Sequence, residues 1–403
     1  MIFTDFAPNE ELDDSLLAIK LIFQPWKWKK GKATELTKKL LERKFFPYHC
    51  FHFFLSGRAA LYYVLKALRL PADSEILVQA FTCEAVVLPI LANNLHVAYV
   101  DIEESTFSMD PKDLQQKINS NSKVMILQHT FGIMPQRDKI LEIARNNKIL
   151  VIEDLAHGFD AHTLRHDKYK TIKLLSFGRS KAFSSVFGGA LAVSDVALNQ
   201  KLKKMPLNLP SRLFIFRQYL YKILTPLVKA TYDLHLGRLI HAVSKSLNLW
   251  LPEVSLKEKQ GKPDFSIIKA YPNGLAALII HQLKKVNKIN NRRKKAVSSY
   301  LKHLPKSILP VNFRPVNLHL IRFPILVDHR EHLLASLKKE KIIAGTWYDQ
   351  VVAPKNVSLI TMRYVAGSCP KAENLCKKIV NLPTNITTQQ INKIIKQVKL
   401  NFK

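Results

Sequence analysis

Val151-Ile152-Glu153-Asp154-Leu155-Ala156-His157 is an apolar run that stops abruptly at two carboxylates. A short apolar run of this kind reads as a strand buried on both faces, because a parallel sheet covered by helices leaves no polar side. Carboxylates at its end then stand at the carboxyl edge of a sheet, where α/β proteins place their ligands. Outward from this stretch, similar runs recur at Ile76–Gln79, Val97–Asp101 and Val124–Gln128, with the strand itself spanning Leu150–Glu153. Helical patterns near 82–93, 111–119 and 135–146 separate them. Strand, helix and strand at this spacing predict βαβ units and a mainly parallel sheet between about 55 and 195.

The chain has 403 residues, more than one hydrophobic core usually organises, so a large and a smaller domain are expected. Residues 1–44 read as an N-terminal arm ending in a basic helical stretch around Lys27–Lys44. Residues 45–265 form the large domain. Within it, 205–252 is an apolar, aromatic and basic insert read as two or more helices interrupted at Pro226. Residues 266–403 supply a long helical pattern to about 302, a strand near Leu318–Val327 and helices near 329–339 and 387–399, a smaller α+β domain. An apolar share of 47% with 12 glycines excludes disordered and fibrous classes. Charges cut every apolar run short of the roughly 18–20 residues of a membrane span. The opening MIFTDFAPNEELDD is acidic where a secretion signal is basic. Cys50, Cys83, Cys369 and Cys376 lack metal-ligand spacing and are too few for a disulfide framework, which suits reduced thiols in the cytoplasm.

The formal net charge is +31, and it is concentrated. Residues 1–200 carry 25 Lys and Arg against 22 Asp and Glu, whereas 201–403 carry 37 against 9. Such a surface attracts polyanions or an anionic membrane. No helix-turn-helix, zinc-finger or RNA-binding signature accompanies it, which argues against nucleic acid. The insert adds aromatic and aliphatic residues to its cations, a composition that fits either peripheral contact with the inner face of a membrane or a helical hairpin packed on the large domain or on a second subunit.

Three features carry chemistry. Ser56-Gly57-Arg58-Ala59-Ala60-Leu61 is a small-residue turn opening an apolar helix. Backbone N–H groups at a helix start, with glycine allowing close approach, cradle phosphate, and Arg58 could add a charged contact. A carboxylate at this strand exit, Glu153 or Asp154, can pair with a protonated ring nitrogen or serve as a helix N-cap. Leu174-Leu175-Ser176-Phe177-Gly178-Arg179-Ser180-Lys181 leads from a buried strand into a turn of small residues, followed by Gly188-Gly189 and the strand-like Ala190–Val193. A lysine in such a turn, rather than on an exposed helix face, can be desolvated enough to act as a Schiff-base nucleophile.

Together these motifs resemble the DegT-type (DegT/DnrJ/StrS) sugar aminotransferases, strongly from about 55 to 195 and weakly through 263–403. Ser56–Leu61, Phe81-Thr82, His129 with Gly132, Glu153–His157 and Ser176–Lys181 match five family motifs in order. The resemblance implies a fold-type I architecture with a mainly parallel sheet flanked by helices and a smaller C-terminal α+β domain. It implies pyridoxal 5′-phosphate (PLP) held on Lys181, which also moves the substrate proton, and Asp154 on the pyridine nitrogen. It further implies His157 near the ring hydroxyl, and Gly57, Arg58 and Ser176 around the phosphate. Asn273 lies in a segment that in the family reaches a neighbouring subunit's cofactor, implying a homodimer. The reaction implied is transfer of an amino group, with glutamate as donor, to a keto-sugar nucleotide in polysaccharide or glycan biosynthesis. The sequence departs from the family at Cys83, where many members stack an aromatic ring on the pyridine. Either Phe81 takes that role, or aliphatic contacts and His157 hold the ring. The alternatives are a PLP-dependent dehydratase or epimerase, where loss of the lysine usually marks the dehydratases of the family, and a non-catalytic regulator or scaffold of the same fold, which would not need an Asp154–Lys181 pair.

Overall fold

The computed structural model describes residues 1–165, 167–260, 262, 264 and 266–402. Two helices of the arm, α1 (Leu12–Ile22) and α2 (Ala33–Lys44), precede strand β1 (Cys50–Phe54) and helix α3 (Gly57–Leu68). Then follow β2 (Glu75–Gln79), α4 (Glu84–Leu91), β3 (His96–Val100), α5 (Pro111–Lys117), β4 (Ser122–Gln128), α6 (Arg137–Asn146) and β5 (Leu150–Asp154). A short α7 (Ala161–Arg165) leads to β6 (Ile172–Ser176) and β7 (Gly189–Val193).

These seven strands form one sheet in the order β3-β2-β4-β5-β6-β7-β1. Only β7 runs antiparallel to its neighbours. The four strands expected from their apolar runs are therefore here, and in parallel register. Leu77, Val124, Ile126 and Ile152 are all fully buried, and each such side chain contributes about 1.5–3 kcal/mol. The chain leaves β2 outward to β3 and returns on β2's other side to β4. That reversal opens a crevice at the carboxyl ends, where ligands bind in such sheets.

The paired glycines have a steric reason. A Cβ on Gly189 would sit 2.4 Å from the Gly57 nitrogen, so β7 can lie against the start of α3 only without a side chain. Gly188 has φ +146° and faces Tyr271 and Phe177. Ser56 caps α3, its Oγ accepting the Ala59 N–H at 3.0 Å.

After α8 (Val196–Lys204) come α9 (Arg212–Thr231), α10 (Leu236–Ser246), a short α11 (Leu256–Lys259) and the long α12 (Asn273–His303). The break expected at Pro226 does not occur, for α9 runs through it. Proline removes the N–H that the carbonyl four residues earlier needs. Here that carbonyl, of Lys222, accepts the Ser15 hydroxyl at 2.8 Å instead. Lys222 and Lys229 also depart from the picture of a basic insert facing outward. Lys222 is fully buried and binds Glu10 at 2.6 Å, and Lys229 donates to the Ala7 carbonyl. Their charges are spent on the arm.

The C-terminal part holds β8 (Arg322–Leu326), α13 (Arg330–Lys339), α14 (Pro370–Lys378), β9 (Ile379–Pro383) and α15 (Thr388–Leu400), with β8 antiparallel to β9. Ile2–Phe3 of the arm pairs with Ile342–Ile343, and Val352–Ala353 pairs with Thr82–Cys83. The second pairing carries the C-terminal segment to the mouth of the crevice. All four cysteines are free. No described helix is long and apolar enough to cross a membrane.

Candidate active site

A cavity of about 490 Å³ lies at the carboxyl ends of β4, β5 and β6. Gln128, Asp154 and Ser176, the last residues of those strands, line it together with Gly57, Arg58, Cys83, His157 and Lys181. The structure thus gathers seven of the nine sequence-derived candidates on one surface. Phe81 and Asn273 are elsewhere.

Strand alternation sorts the two carboxylates at the end of β5 to opposite faces. Asp154 faces the cavity, 4% exposed, its Oδ1 accepting the Ala156 N–H at 3.0 Å. Among the described residues it makes no ion pair within 4 Å, and burial pushes its carboxyl above the ordinary value despite the pull of Lys181. Glu153 points the other way, into a buried cluster with Arg137 (2.7 Å), Lys173 (2.6 Å) and His129 (3.0 Å). Burial opposes its charge, but the hydrogen bonds of Arg137 and His129 and the charge of Lys173 hold its carboxyl well below the usual range. Glu153 is structural.

Lys181 sits in the loop between β6 and β7, its ammonium 5.2 Å from the centre of the Trp347 ring. The loop is held from the arm, for Asn9 donates to the carbonyls of Lys181 (2.7 Å) and Ala182 (2.9 Å). His157 is buried. Its Nδ1 accepts the Phe131 N–H at 3.2 Å, which leaves Nε2 as the protonated nitrogen, donating to the Tyr348 hydroxyl at 3.1 Å. Burial, then the charges of Lys181 and Arg322, drive its pKa well below the ordinary histidine value, so the imidazole is neutral.

Arg58 is not free to meet a phosphate. Its guanidinium binds Glu258 at 2.8 Å and also the Glu253 carbonyl. Gly57 and Ser176 remain, with a Cβ on Gly57 lying only 3.3 Å from that of Ser176. Phe81 is fully buried behind Tyr348, their rings 5.3 Å apart, and Cys83 is the residue of that segment on the cavity wall. Asn273 is occupied within its own chain, accepting the Ala33 N–H (2.7 Å) and donating to the Lys27 carbonyl (2.6 Å). The sequence reading missed Trp347 and Tyr348, which wall the cavity from far along the chain, and also Gln128, Glu84 and Asp5. Gln128, ending a recognised strand, was the one a local rule could have found.

A strand-end carboxylate, a loop lysine, a neutral histidine and a helix start around one cavity define, on this sheet order, the fold-type I architecture of PLP-dependent enzymes. The chain belongs to the DegT/DnrJ/EryC1/StrS aminotransferase family, whose sequence model matches residues 18–218 and 272–399. It is 30% identical over 195 residues to the 3-oxo-glucose-6-phosphate:glutamate aminotransferase of Bacillus subtilis, covering 48% of this chain and 43% of that one. It is 22% identical over 333 residues to a UDP-N-acetyl-3-dehydro-α-D-glucosamine 3-aminotransferase of Acidithiobacillus ferrooxidans, covering 81% and 77%. The chain spans less than half the length of several curated relatives it matches. Among solved structures, Helicobacter pylori PseC, an aminotransferase of pseudoaminic acid biosynthesis, superposes with TM-score 0.74 over 99% of both chains at 16% identity.

Proposed function

We propose that this chain is a PLP-dependent aminotransferase that moves an amino group from glutamate to a keto-sugar nucleotide. The observation that carries the reading is the shared cavity wall of Lys181 and the buried Asp154, a carboxylate without an ion-pair partner among the described residues. The residues fit the cofactor. A protonated ring nitrogen would supply the charge Asp154 lacks, Lys181 would hold the aldehyde carbon, and the α3 start with Ser176 would take the phosphate. Bound there, PLP supplies an electron sink for the carbon that loses its proton. This chain's own groups do the rest. Asp154 holds a positive charge in place, the neutral His157 offers no competing one, and Trp347 and Tyr348 exclude water. The named activity of the Acidithiobacillus relative supports a nucleotide-linked acceptor.

Residues 45–265 act in this proposal as the cofactor-binding unit, with 1–44 clamping it and 266–403 closing the site. The proposal includes a homodimer, supported by exposed apolar side chains at Leu236, Leu239 and Val243 on α10, and at Leu12 and Leu16 on α1. With the basic balance of 201–403, the same side chains support contact with an anionic membrane. Light scattering and liposome sedimentation separate these two.

Purified protein reconstituted with PLP, glutamate and a panel of keto-sugar nucleotides tests the activity. Formation of 2-oxoglutarate matched by an amino sugar is the expected result. No amino transfer to any keto-sugar overturns the reading.

A further inference from the structure

The family match leaves residues 219–271 outside it, yet part of that stretch reaches the site. Pro252, Glu253, Val254 and Lys259 line the cavity. Two arginines anchor this strap from the side that the family model does match: Arg58 through Glu258, and Arg179 through the Leu251 carbonyl at 2.7 Å. A capping box between Ser255 and Glu258 fixes its turn.

Under the strap lies a carboxylate with one unpaired oxygen among the described residues. Glu84, the first residue of α4, lines the cavity at 3% exposure, and its Oε2 has no hydrogen-bond partner among the described residues. Burial raises its carboxyl pKa above the ordinary value, against the pull of Lys259 and then Arg58. A buried, unpaired acceptor costs about 1–3 kcal/mol, and more when charged, so a cavity wall that holds one suits a ligand that brings donors. Asp154, Lys181 and Ser176 do not use it, and Ala85, Val86 and Val254 flank it with apolar wall.

We infer that Glu84 and the strap 252–259 form the subsite for the hydroxylated ring of the acceptor, with Glu84 taking hydrogen bonds from ring hydroxyls. This rests on the aminotransferase reading and names the residue that selects its acceptor. The amino donor is the wrong occupant. Glutamate brings two carboxylates, which a carboxylate repels, whereas a sugar ring offers hydroxyl donors and an apolar C–H face that suits Val86 and Val254. Specificity of this kind is strong, because a ligand lacking the hydroxyls leaves the buried acceptor unpaired.

Calorimetry on the full chain reads this out without turnover. The ring-bearing probes are glucose 6-phosphate and UDP-N-acetylglucosamine, each compared with its ring-free counterpart, inorganic phosphate or UDP. Wild type is expected to bind at least one ring-bearing probe more tightly than its counterpart. Glu84→Gln should weaken that probe about tenfold or more, as loss of a charged hydrogen bond does, and leave the counterpart unchanged. Glu84→Ala, which also removes the unpaired oxygen, should lose the same preference while keeping the thermal midpoint. Equal weakening of both probes, no effect of either substitution, or a wild type blind to the ring overturns the inference. The aminotransferase reading fails separately, if wild type produces no 2-oxoglutarate from glutamate.

Discussion

Asn9 and Lys181, 172 residues apart, are joined by a 2.7 Å hydrogen bond from the Asn9 amide to the Lys181 carbonyl. The same amide holds the Ala182 carbonyl, and the Asn9 oxygen accepts from the buried Arg293 at 2.8 Å. The lysine's loop is therefore fixed by a side chain of the N-terminal arm rather than by its own turn alone. Asn9→Ala should leave the Lys181 carbonyl without its side-chain donor, while the Ala182 carbonyl keeps Arg293 at 3.0 Å, and cost about 1 kcal/mol. Amide exchange in 178–188 should speed up relative to β5. Unchanged exchange there would mean that the loop holds itself.

Lys181→Ala should abolish amino transfer while changing stability by about 1 kcal/mol or less, since the side chain is half-buried and makes no ion pair among the described residues. In wild type, borohydride should attach the cofactor to a peptide containing Lys181. Attachment at another lysine would remove the assignment.

Asp154→Asn should keep the cofactor bound and lower turnover by orders of magnitude, because the ring nitrogen loses its counter-charge. Near-normal turnover would refute the role. Glu153 is no substitute, being turned into the Arg137–Lys173 cluster.

That cluster sets an acid limit. Glu153 has a folded pKa below its unfolded value, so its contribution to stability is complete above roughly pH 4.3 and is lost as pH falls through the folded pKa. Glu153→Gln should cost about 3–5 kcal/mol at neutral pH, leaving Arg137 and Lys173 underpaired, and flatten the acid limb of the stability curve. A cost under 1 kcal/mol in chemical denaturation would show the cluster to be idle.

His157 should stay neutral, protonated on Nε2, well below pH 6.5, because its folded pKa is depressed. Its linkage has the same sense: stability is lost as pH falls below the unfolded value of about 6.5. Nitrogen-15 NMR checks this, and an imidazolium signature for His157 at pH 6 would contradict it.

What was legible in the sequence was local. The strands at 75–79, 96–100, 122–128 and 150–154 follow from apolar runs, and Gly57, Asp154, Ser176 and Lys181 follow from motifs at their ends. What was illegible is contact across the chain. Trp347 and Tyr348 reach the cavity because Val352–Ala353 pairs with Thr82–Cys83, a two-residue ladder no pattern announces. Whether the insert's lysines face outward or inward could not be read, because the partners of Lys222 and Lys229, Glu10 and the Ala7 carbonyl, lie over 200 residues away. Asn273 and Arg58 matched a family position or a chemical type, but their partners in the fold are Ala33 and Glu258.

The Ser15 hydroxyl on the Lys222 carbonyl has a consequence in time. The donor leaves the ribosome 207 residues ahead of the helix that needs it, and domains generally assemble from the N-terminus during synthesis. The arm must wait, with Glu10 and Ser15 unengaged, until α9 emerges with its proline already in place. A truncation that starts the chain after α1 would thus be felt in biogenesis first: nascent α9 would lack both its hydrogen-bond donor and the anion for Lys222, and the loss should appear as poor yield of folded enzyme before any assay of catalysis.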